Sequence, residues 1–161
     1  MASESIIHCS RLMAEKGLKI AFAESATAGW MASEFSLTEY SGKVLLGGIV
    51  CYDACTKEDI FGISMDVIEK YTAESAEITK LLAERLEKFF DADIFVAVTG
   101  LTTAGGSETE EKPVGTMFLH IIGPAESYCA HREVFEGSAE EIINQTIDRT
   151  GVLISEMLSK K

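Results

Sequence analysis

Ser25 and Lys57 are the residues of this sequence whose types and positions could support hydrolytic chemistry. A serine hydroxyl is a weak nucleophile until a base takes its proton, and a lysine becomes such a base when burial lowers its pKa. Each residue also has a simpler interpretation. Ser25, or Thr27, could only cap a helix, which is the simpler view of that stretch taken alone. Lys57 could be a solvated helix lysine that pairs with Glu58 or Asp59.

The stretch LKIAFAESATAGW at residues 18–30 predicts a strand, a tight turn and a helix start. Residues 18–23 are apolar apart from one lysine, which is typical of a buried strand. The small residues 25–29 let a ligand approach the backbone. A helix start also carries unpaired N–H groups and a partial positive charge. Ser25 would therefore lie where a nucleophile or an anion contact could be placed.

Alternating strand and helix patterns continue along the rest of the chain. They predict an α/β fold, a parallel sheet with helices on both faces that ends in an antiparallel hairpin. We expect a single domain over residues 1–161, with a capping box of Ser138 and Glu141 before the last helix. The predicted strands are 18–23, 44–52, 93–99, 114–122 and 127–135, and the predicted helices are 3–16, 27–35, 53–61, about 72–90 and 138–158; residues 36–43 and the segment from 64 are predicted as turns.

Three segments follow predicted parallel strands: residues 24–29, 52–57 and 99–106. Ligands of open α/β sheets bind at the carboxyl edge of the strands, so this edge is the candidate site. The third segment opens a loop of about a dozen residues, a length that is usually functional or disordered. Its Gly105–Gly106 pair could form an anion-binding nest, or the loop could simply be flexible. The residues brought together would be Ser25, Thr27, Tyr52, Lys57, Thr99 and Gly100.

Composition excludes several classes of partner. The chain has 161 residues, 47% of them apolar, and a net charge of −12, which argues against binding to nucleic acid or an anionic membrane. A small anionic ligand is not excluded, because a local pocket can be positive. The four cysteines form no CxxC pair and no signal peptide is evident, so a reduced cytoplasmic setting is expected. The three histidines match no metal-ligand spacing, and we expect no metal and no membrane span.

Several ordered motifs match those of a known family. They are AESATAG at 23–29 against AES-C-TGG, GGIVCY at 47–52 with Lys57 five residues on, FGI at 61–63 against LGV, VTG at 98–100, the glycine pair at 105–106, and KPVGT at 112–116. In these motifs, from about Ile6 to Leu158, the chain resembles the CinA carboxy-terminal domain family, the nicotinamide mononucleotide deamidases.

The resemblance implies a three-layer α/β/α sandwich with a mixed, mostly parallel sheet and one antiparallel strand. It implies hydrolysis of a pyridine carboxamide nucleotide, nicotinamide mononucleotide, to the acid and ammonia, without a metal or cofactor. It also implies a homo-oligomer. Carried over, Ser25 would be the nucleophile and Lys57 the general base. The substrate-binding positions would be Thr27, Ala28, Gly29, Tyr52, Thr99, Gly100, Gly105 and Gly106.

This sequence departs from the family pattern where recognition is concerned. Ala26 and Ala28 replace a cysteine and a glycine, and Asp53 replaces a serine beside the predicted site. Most important, the late Gly-Asp-Arg motif ends in Ala139, which removes an arginine suited to a phosphate. We therefore expect weak phosphate recognition.

Two consequences remain open at the level of the sequence. Lys112, Arg132 or the backbone of the glycine pair at 105–106 could replace the missing phosphate contact. Alternatively, the chain is a non-catalytic ligand-binding or interaction paralogue that keeps the fold but has lost phosphate recognition.

Overall fold

The computed structural model describes residues 1–160, which form helices on both sides of one five-stranded sheet. The elements in chain order are α1 (Glu4–Lys16), β1 (Ile20–Glu24), α2 (Trp30–Ser36), α3 (Ser41–Val44), β2 (Leu45–Val50), α4 (Ala54–Phe61), α5 (Met65–Tyr71), α6 (Ala76–Leu86), β3 (Ile94–Gly100), β4 (Thr116–Ile122), β5 (Tyr128–Val134) and α7 (Ala139–Ser159).

The sheet has the strand order β2-β1-β3-β4-β5. Strands β2, β1 and β3 are parallel, and β4 is antiparallel to both of its neighbours, β3 and β5. One strand therefore runs against the other four, which confirms the predicted mixed sheet. Glu24 at the end of β1 pairs with Val50 of β2 and with Val98 of β3. This register brings the segments that follow the three parallel strands to one edge.

Alternate residues of the central strands supply two hydrophobic cores. Phe22 and Val96 belong to the core that β1 and β3 form with α1, α2 and α7, and the Phe22 and Phe35 ring centroids lie 5.0 Å apart. Ala21 and Ala97 belong to the opposite core, formed with α4, α5 and α6. All five residues of β1 are buried because both faces of the strand are covered by helices. The layers are thus those of an α/β/α sandwich, as predicted.

Strand β2 differs from its prediction as a buried strand over residues 44–52. It spans Leu45–Val50 at the edge of the sheet, and its residues alternate between partly buried and exposed, so only one of its two faces is partly covered. The expected close approach at its glycine pair is present. A Cβ on Gly48 would lie 3.1 Å from the carbonyl oxygen of Phe22, closer than nearly all real contacts.

Several helix boundaries also differ from prediction, and local capping explains two of them. Helix α5 occupies the segment predicted as a turn after Ser64, whose hydroxyl accepts a hydrogen bond from the N–H of Val67. Helix α6 begins at Ala76 because Ser75 caps it. Helix α2 begins at residue 30 instead of 27, and the short α3 lies in the segment predicted to be only polar turns. The capping box of α7 and the hairpin turn at 123–124 are confirmed.

Within residues 1–160, no helix combines the length and the apolar character that crossing a membrane would need.

Candidate functional site

Ser25 and Lys57 meet at the carboxyl edge of the parallel strands. The Nζ of Lys57 donates to Oγ of Ser25 at 3.0 Å, to the carbonyl oxygen of Cys51 at 2.7 Å and to that of Tyr52 at 3.4 Å. Only 1% of Lys57 is exposed, and 7% of Ser25. The interpretation of Lys57 as a solvated lysine paired with Glu58 or Asp59 is therefore wrong.

The position of Lys57 follows from the start of α4. The carboxylate of Asp53 caps this helix by accepting a hydrogen bond from the N–H of Cys55 at 2.9 Å, which places Lys57 one turn into the helix. Burial lowers the pKa of Lys57 below its ordinary value of 10.5, and the negative charges of Glu74 and Asp53 oppose this only in part. Lys57 makes no ion pair with any residue in the described range 1–160.

The three oxygens around Nζ match the bonding capacity of a lysine that gains and loses one proton. A neutral amine has two N–H donors and one lone pair, so the carbonyls of Cys51 and Tyr52 can hold the donors while the lone pair faces Ser25. A protonated amine donates to all three oxygens. Both protonation states are accommodated without a rearrangement, as a general acid–base group requires.

The neighbouring thiol of Cys51 is not a competing nucleophile. Burial raises its pKa to about 11, and its Sγ lies 3.7 Å from the carbonyl oxygen of Glu24, to which it donates. A thiol in this state carries little thiolate, the reactive form, at neutral pH.

The turn after Ser25 is organised by Glu24, a buried carboxylate. Its oxygens accept hydrogen bonds from the hydroxyl of Thr27 at 2.5 Å and from the N–H groups of Gly29, Met31 and Ala32 at 3.0, 3.0 and 2.8 Å. Glu24 therefore caps α2, and the prediction that Ser25 or Thr27 is the cap is wrong. The cap comes from the end of the strand because the chain reverses tightly over residues 25–29.

The same turn leaves two backbone donors beside the nucleophile. None of the hydrogen bonds within residues 1–160 uses the N–H of Ala26 or Thr27. Ala28 has φ +49° and Gly29 has φ +97°, so the turn passes through left-handed conformations that favour glycine. Of these two residues only Ala26 lines the cleft, so its N–H group can stabilise an oxyanion on a substrate carbonyl.

Removing the Glu24 carboxylate is expected to destabilise the fold strongly. Glu24→Ala leaves one buried N–H group, two partly buried N–H groups and the buried hydroxyl of Thr27 without an acceptor, and we expect a loss of about 3–5 kcal/mol in the free energy of unfolding. Glu24→Gln keeps one oxygen but turns an amide N–H₂ toward a donor, so we expect a smaller loss of about 1–2 kcal/mol in the free energy of unfolding. The measurement is urea unfolding at neutral pH. The matched control is Glu34→Ala on α2, and equal losses in Glu24→Ala and the control would contradict the assignment.

A cleft of about 400 Å³ opens above Ser25 between the segments that follow β2 and β3. Four predicted substrate-binding residues line it together with Ser25. Glycine is required at Gly100, because a Cβ there would lie 2.2 Å from Sδ of Met117 and 2.7 Å from the carbonyl oxygen of Thr116. The lining residues are Ser25, Ala26, Tyr52, Asp53, Ala54, Ala73, Glu74, Gly100, Leu101, Thr102, Thr103, Ala104, Gly105 and Gly106.

Four other predicted substrate-binding residues do not line the cleft: Thr27, Ala28, Gly29 and Thr99. Thr27 and Gly29 bind the carboxylate of Glu24, and Ala28 holds the left-handed turn. Thr99 is fully buried, with its hydroxyl 2.9 Å from that of Thr79 on α6. Thr27 and Thr99 are thus fully buried and support the site from within the protein.

The groups predicted to replace the family's phosphate contact are already engaged within the chain. Lys112 donates to the hydroxyls of Thr72 and Ser107 at 2.7 and 2.9 Å and to the carbonyl oxygen of Glu74 at 2.9 Å. Arg132 donates to the carbonyl oxygen of Glu111 at 2.6 Å. Lys112 thus fastens the loop 101–115 to the segment before α6.

The N–H groups of the glycine pair are also occupied. The carboxylate of Glu108 accepts hydrogen bonds from Gly105 at 2.7 Å and from Gly106 at 2.8 Å. Ala139, the position of the family's arginine, is the first residue of α7 and is not among the residues that line the cleft. The expectation of weak phosphate recognition stays a prediction, and it now has a second basis in Glu108.

Sequence patterns missed two contributors to the site, Glu24 and the carbonyl oxygens of residues 51 and 52. A single acid at the end of an otherwise apolar buried strand was the available signal for Glu24. Backbone carbonyls carry no signal in the sequence.

A larger cavity, of about 490 Å³, lies at the opposite end of the sheet beside the β4–β5 turn and α7, away from Ser25. In the described part of the chain, no three His, Cys, Asp or Glu side chains are arranged to hold a metal ion.

Comparison with known proteins identifies one family. A sequence profile of the CinA C-terminal domain matches residues 3–158. A CinA-like protein from Prochlorococcus marinus is 36% identical over 113 residues, which are 70% of this chain and 26% of that protein. A CinA-like protein from Thermosipho melanesiensis is 33% identical over 130 residues, 81% of this chain and 32% of that protein. The chain therefore spans about a quarter to a third of the length of these curated relatives.

Solved structures share the fold over nearly the whole chain. A CinA superfamily protein from Klebsiella pneumoniae aligns with a TM-score of 0.89 at 20% identity, covering 97% of this chain and 96% of that one. A competence/damage inducible protein from Agrobacterium tumefaciens aligns with a TM-score of 0.87 at 24% identity, covering 98% of both chains.

Proposed function

Since the chain belongs to the CinA C-terminal domain family, we propose that it is an amidohydrolase acting on the carboxamide of a pyridine nucleotide or a close relative. The products would be the acid and ammonia, as for nicotinamide mononucleotide in the family that the sequence resembles. The observation that carries the proposal is the buried amine of Lys57 at 3.0 Å from the hydroxyl of Ser25, at the foot of an open cleft.

In the first half of the proposed reaction, Ser25 attacks the carboxamide carbon while Lys57 takes the proton of the hydroxyl. Burial favours the neutral amine that this step needs. The carbonyl oxygen becomes an oxyanion, for which the N–H group of Ala26, a residue that lines the cleft, is the available donor. When the C–N bond breaks, Lys57 gives its proton to the nitrogen, which leaves as ammonia. An acyl ester on Ser25 remains.

In the second half, water takes the place of ammonia. Lys57, neutral again, removes a proton from the water as it attacks the ester carbon, and then returns that proton to Oγ of Ser25 as the ester bond breaks. The acid is released and both residues regain their starting state. No redox step and no metal enters this balance, and one water is consumed for each amide.

The cleft is suited to an aromatic amide of nucleoside size. Its volume of about 400 Å³ lies in the range of small-molecule sites. The side chain of Tyr52 is 62% exposed at the cleft, where its ring is free to stack on a heteroaromatic ring.

A direct assay tests the proposed activity. We expect the purified protein to release ammonia and acid in equal amounts from nicotinamide mononucleotide or from nicotinamide riboside. Thermal shift measurements in the same buffers report binding, because a ligand at a hundred times its Kd stabilises by about 2.7 kcal/mol. Stabilisation by either compound without release of ammonia would contradict the proposed amidohydrolase activity and favour the alternative, a ligand-binding paralogue. The loss of the family's late arginine is the observation that favours this alternative.

A further inference from the structure

The glycine pair that lines the cleft carries an anion site, and the chain fills this site with the side chain of Glu108, a residue outside the cleft lining. Both oxygens of Glu108 bind the glycine pair, one to the N–H of Gly105 at 2.7 Å and the other to that of Gly106 at 2.8 Å. Gly105 has φ +97°, and a Cβ on Gly106 would lie 3.0 Å from Cδ2 of Leu101. The two glycines thus let successive N–H groups meet one carboxylate, in the manner of an anion-binding nest.

The carboxylate of Glu108 is held in its charged form. Hydrogen bonds from the backbone, that of Gly105 first, lower its pKa below the ordinary value of 4.5. At neutral pH the nest is therefore occupied by a full negative charge. A substrate phosphate could use these donors only by displacing Glu108.

Other charges at the cleft have the same sign. Asp53 and Glu74 line the cleft, and its lining within residues 1–160 includes no arginine or lysine. Two lysine amines lie beside lining residues, that of Lys57 at Ser25 and that of Lys112 at Glu74, and each is already bonded to three oxygens. A phosphate in the cleft would therefore meet like charges without a free cation, whereas a cationic ring would meet opposite charges.

We propose that Glu108 is a specificity-determining residue that excludes phosphate from the cleft by holding the backbone donors of Gly105 and Gly106. The preferred substrates are then unphosphorylated carboxamides on a cationic heteroaromatic ring, the class of N-glycosylated pyridinium amides. This inference rests on the proposed amidohydrolase for its substrate, but the exclusion of phosphate is a separate property of the nest.

The kinetic test compares nicotinamide riboside with nicotinamide mononucleotide. We expect the wild type to prefer the riboside in kcat/KM by tenfold or more. Glu108→Ala should raise kcat/KM for the mononucleotide at least tenfold, mainly through KM. Its kcat/KM for the riboside should stay within about twofold of the wild-type value. Glu108→Gln keeps an acceptor but removes the charge, so its kcat/KM for the mononucleotide should lie between those of the wild type and Glu108→Ala. The matched control is Glu110→Ala, which removes an exposed acid from the same loop and should change kcat/KM for neither substrate.

The binding test does not depend on catalysis. Inorganic phosphate is titrated calorimetrically into the wild type, Glu108→Ala and Glu110→Ala. We expect binding to Glu108→Ala at least tenfold tighter than to the other two. Equal phosphate affinity in all three proteins, or a wild-type preference for the mononucleotide, would overturn the role of Glu108. If neither substrate releases ammonia but phosphate binds only to Glu108→Ala, the proposed function fails and the role of Glu108 stands.

Discussion

Replacing Lys57 with methionine is expected to lower kcat/KM for carboxamide hydrolysis roughly 10³–10⁴-fold, the upper range for loss of a general acid–base group. Methionine fills a similar volume but cannot take the proton of Ser25 or protonate departing ammonia. Lys57→Arg should lower kcat/KM to a similar extent, because a guanidinium does not lose its proton in proteins. The measurement is steady-state ammonia release on the preferred amide.

The matched control for Lys57 is Lys80→Met on α6. Lys80 is exposed and its Nζ lies 3.8 Å from the carboxylate of Glu84, a surface contact of small energetic value. This variant should keep kcat/KM within about twofold of the wild type. A Lys57→Met protein that folds and retains more than about a tenth of wild-type activity would remove Lys57 from the mechanism.

The lowered pKa of Lys57 also predicts how activity depends on pH. Hydrolysis requires the neutral amine, so kcat/KM should rise with pH as Lys57 loses its proton and should level off below the ordinary lysine value of 10.5. The residual activity of Lys57→Met should lack this rise. The rise is expected in kcat/KM because that quantity reports ionisations of the free enzyme.

The same shift makes a prediction for stability, with a definite sign. Lys57 has a lower pKa in the folded than in the unfolded chain, so the unfolded chain binds more protons between these two values. Burial of the cation therefore destabilises the wild type below the folded pKa, and the cost disappears as the pH rises toward 10.5. In urea unfolding, the stability of the wild type relative to Lys57→Met should increase from neutral to alkaline pH. A constant or decreasing difference would contradict a depressed pKa.

The sheet could be predicted from the sequence because its central strands carry an unusually clear pattern. The apolar runs that end at Glu24 and Thr99 are buried on both faces, and such runs have few other interpretations. The edge position of β2 could not be predicted in this way. A run with two glycines looks the same whether a neighbouring strand or solvent covers its far side.

The sequence predicted that Ser25 and Lys57 lie close together, but it did not predict how the residues around them are used. Spacing favours a solvated Lys57, and only the fold shows the amine turned inward onto two carbonyls and Ser25. Thr27 and Thr99 were expected at the substrate, yet each hydroxyl is used inside the protein, on Glu24 and Thr79. Local sequence cannot distinguish these uses, because a buried threonine bonds equally well to a ligand or to a neighbouring element.

Ser25→Ala tests the central claim most directly, with ammonia release from nicotinamide riboside and nicotinamide mononucleotide as the measurement. The variant removes one hydroxyl and leaves the amine of Lys57 with its two carbonyl partners, so the fold should persist in urea unfolding. We expect a loss of at least about 10³-fold in kcat on either substrate that the wild type hydrolyses, since no nucleophile remains to form the ester. Ser36→Ala, on the exposed end of α2, should match the wild type. Ammonia release by Ser25→Ala at a rate near that of the wild type would contradict the assignment of Ser25 as the nucleophile.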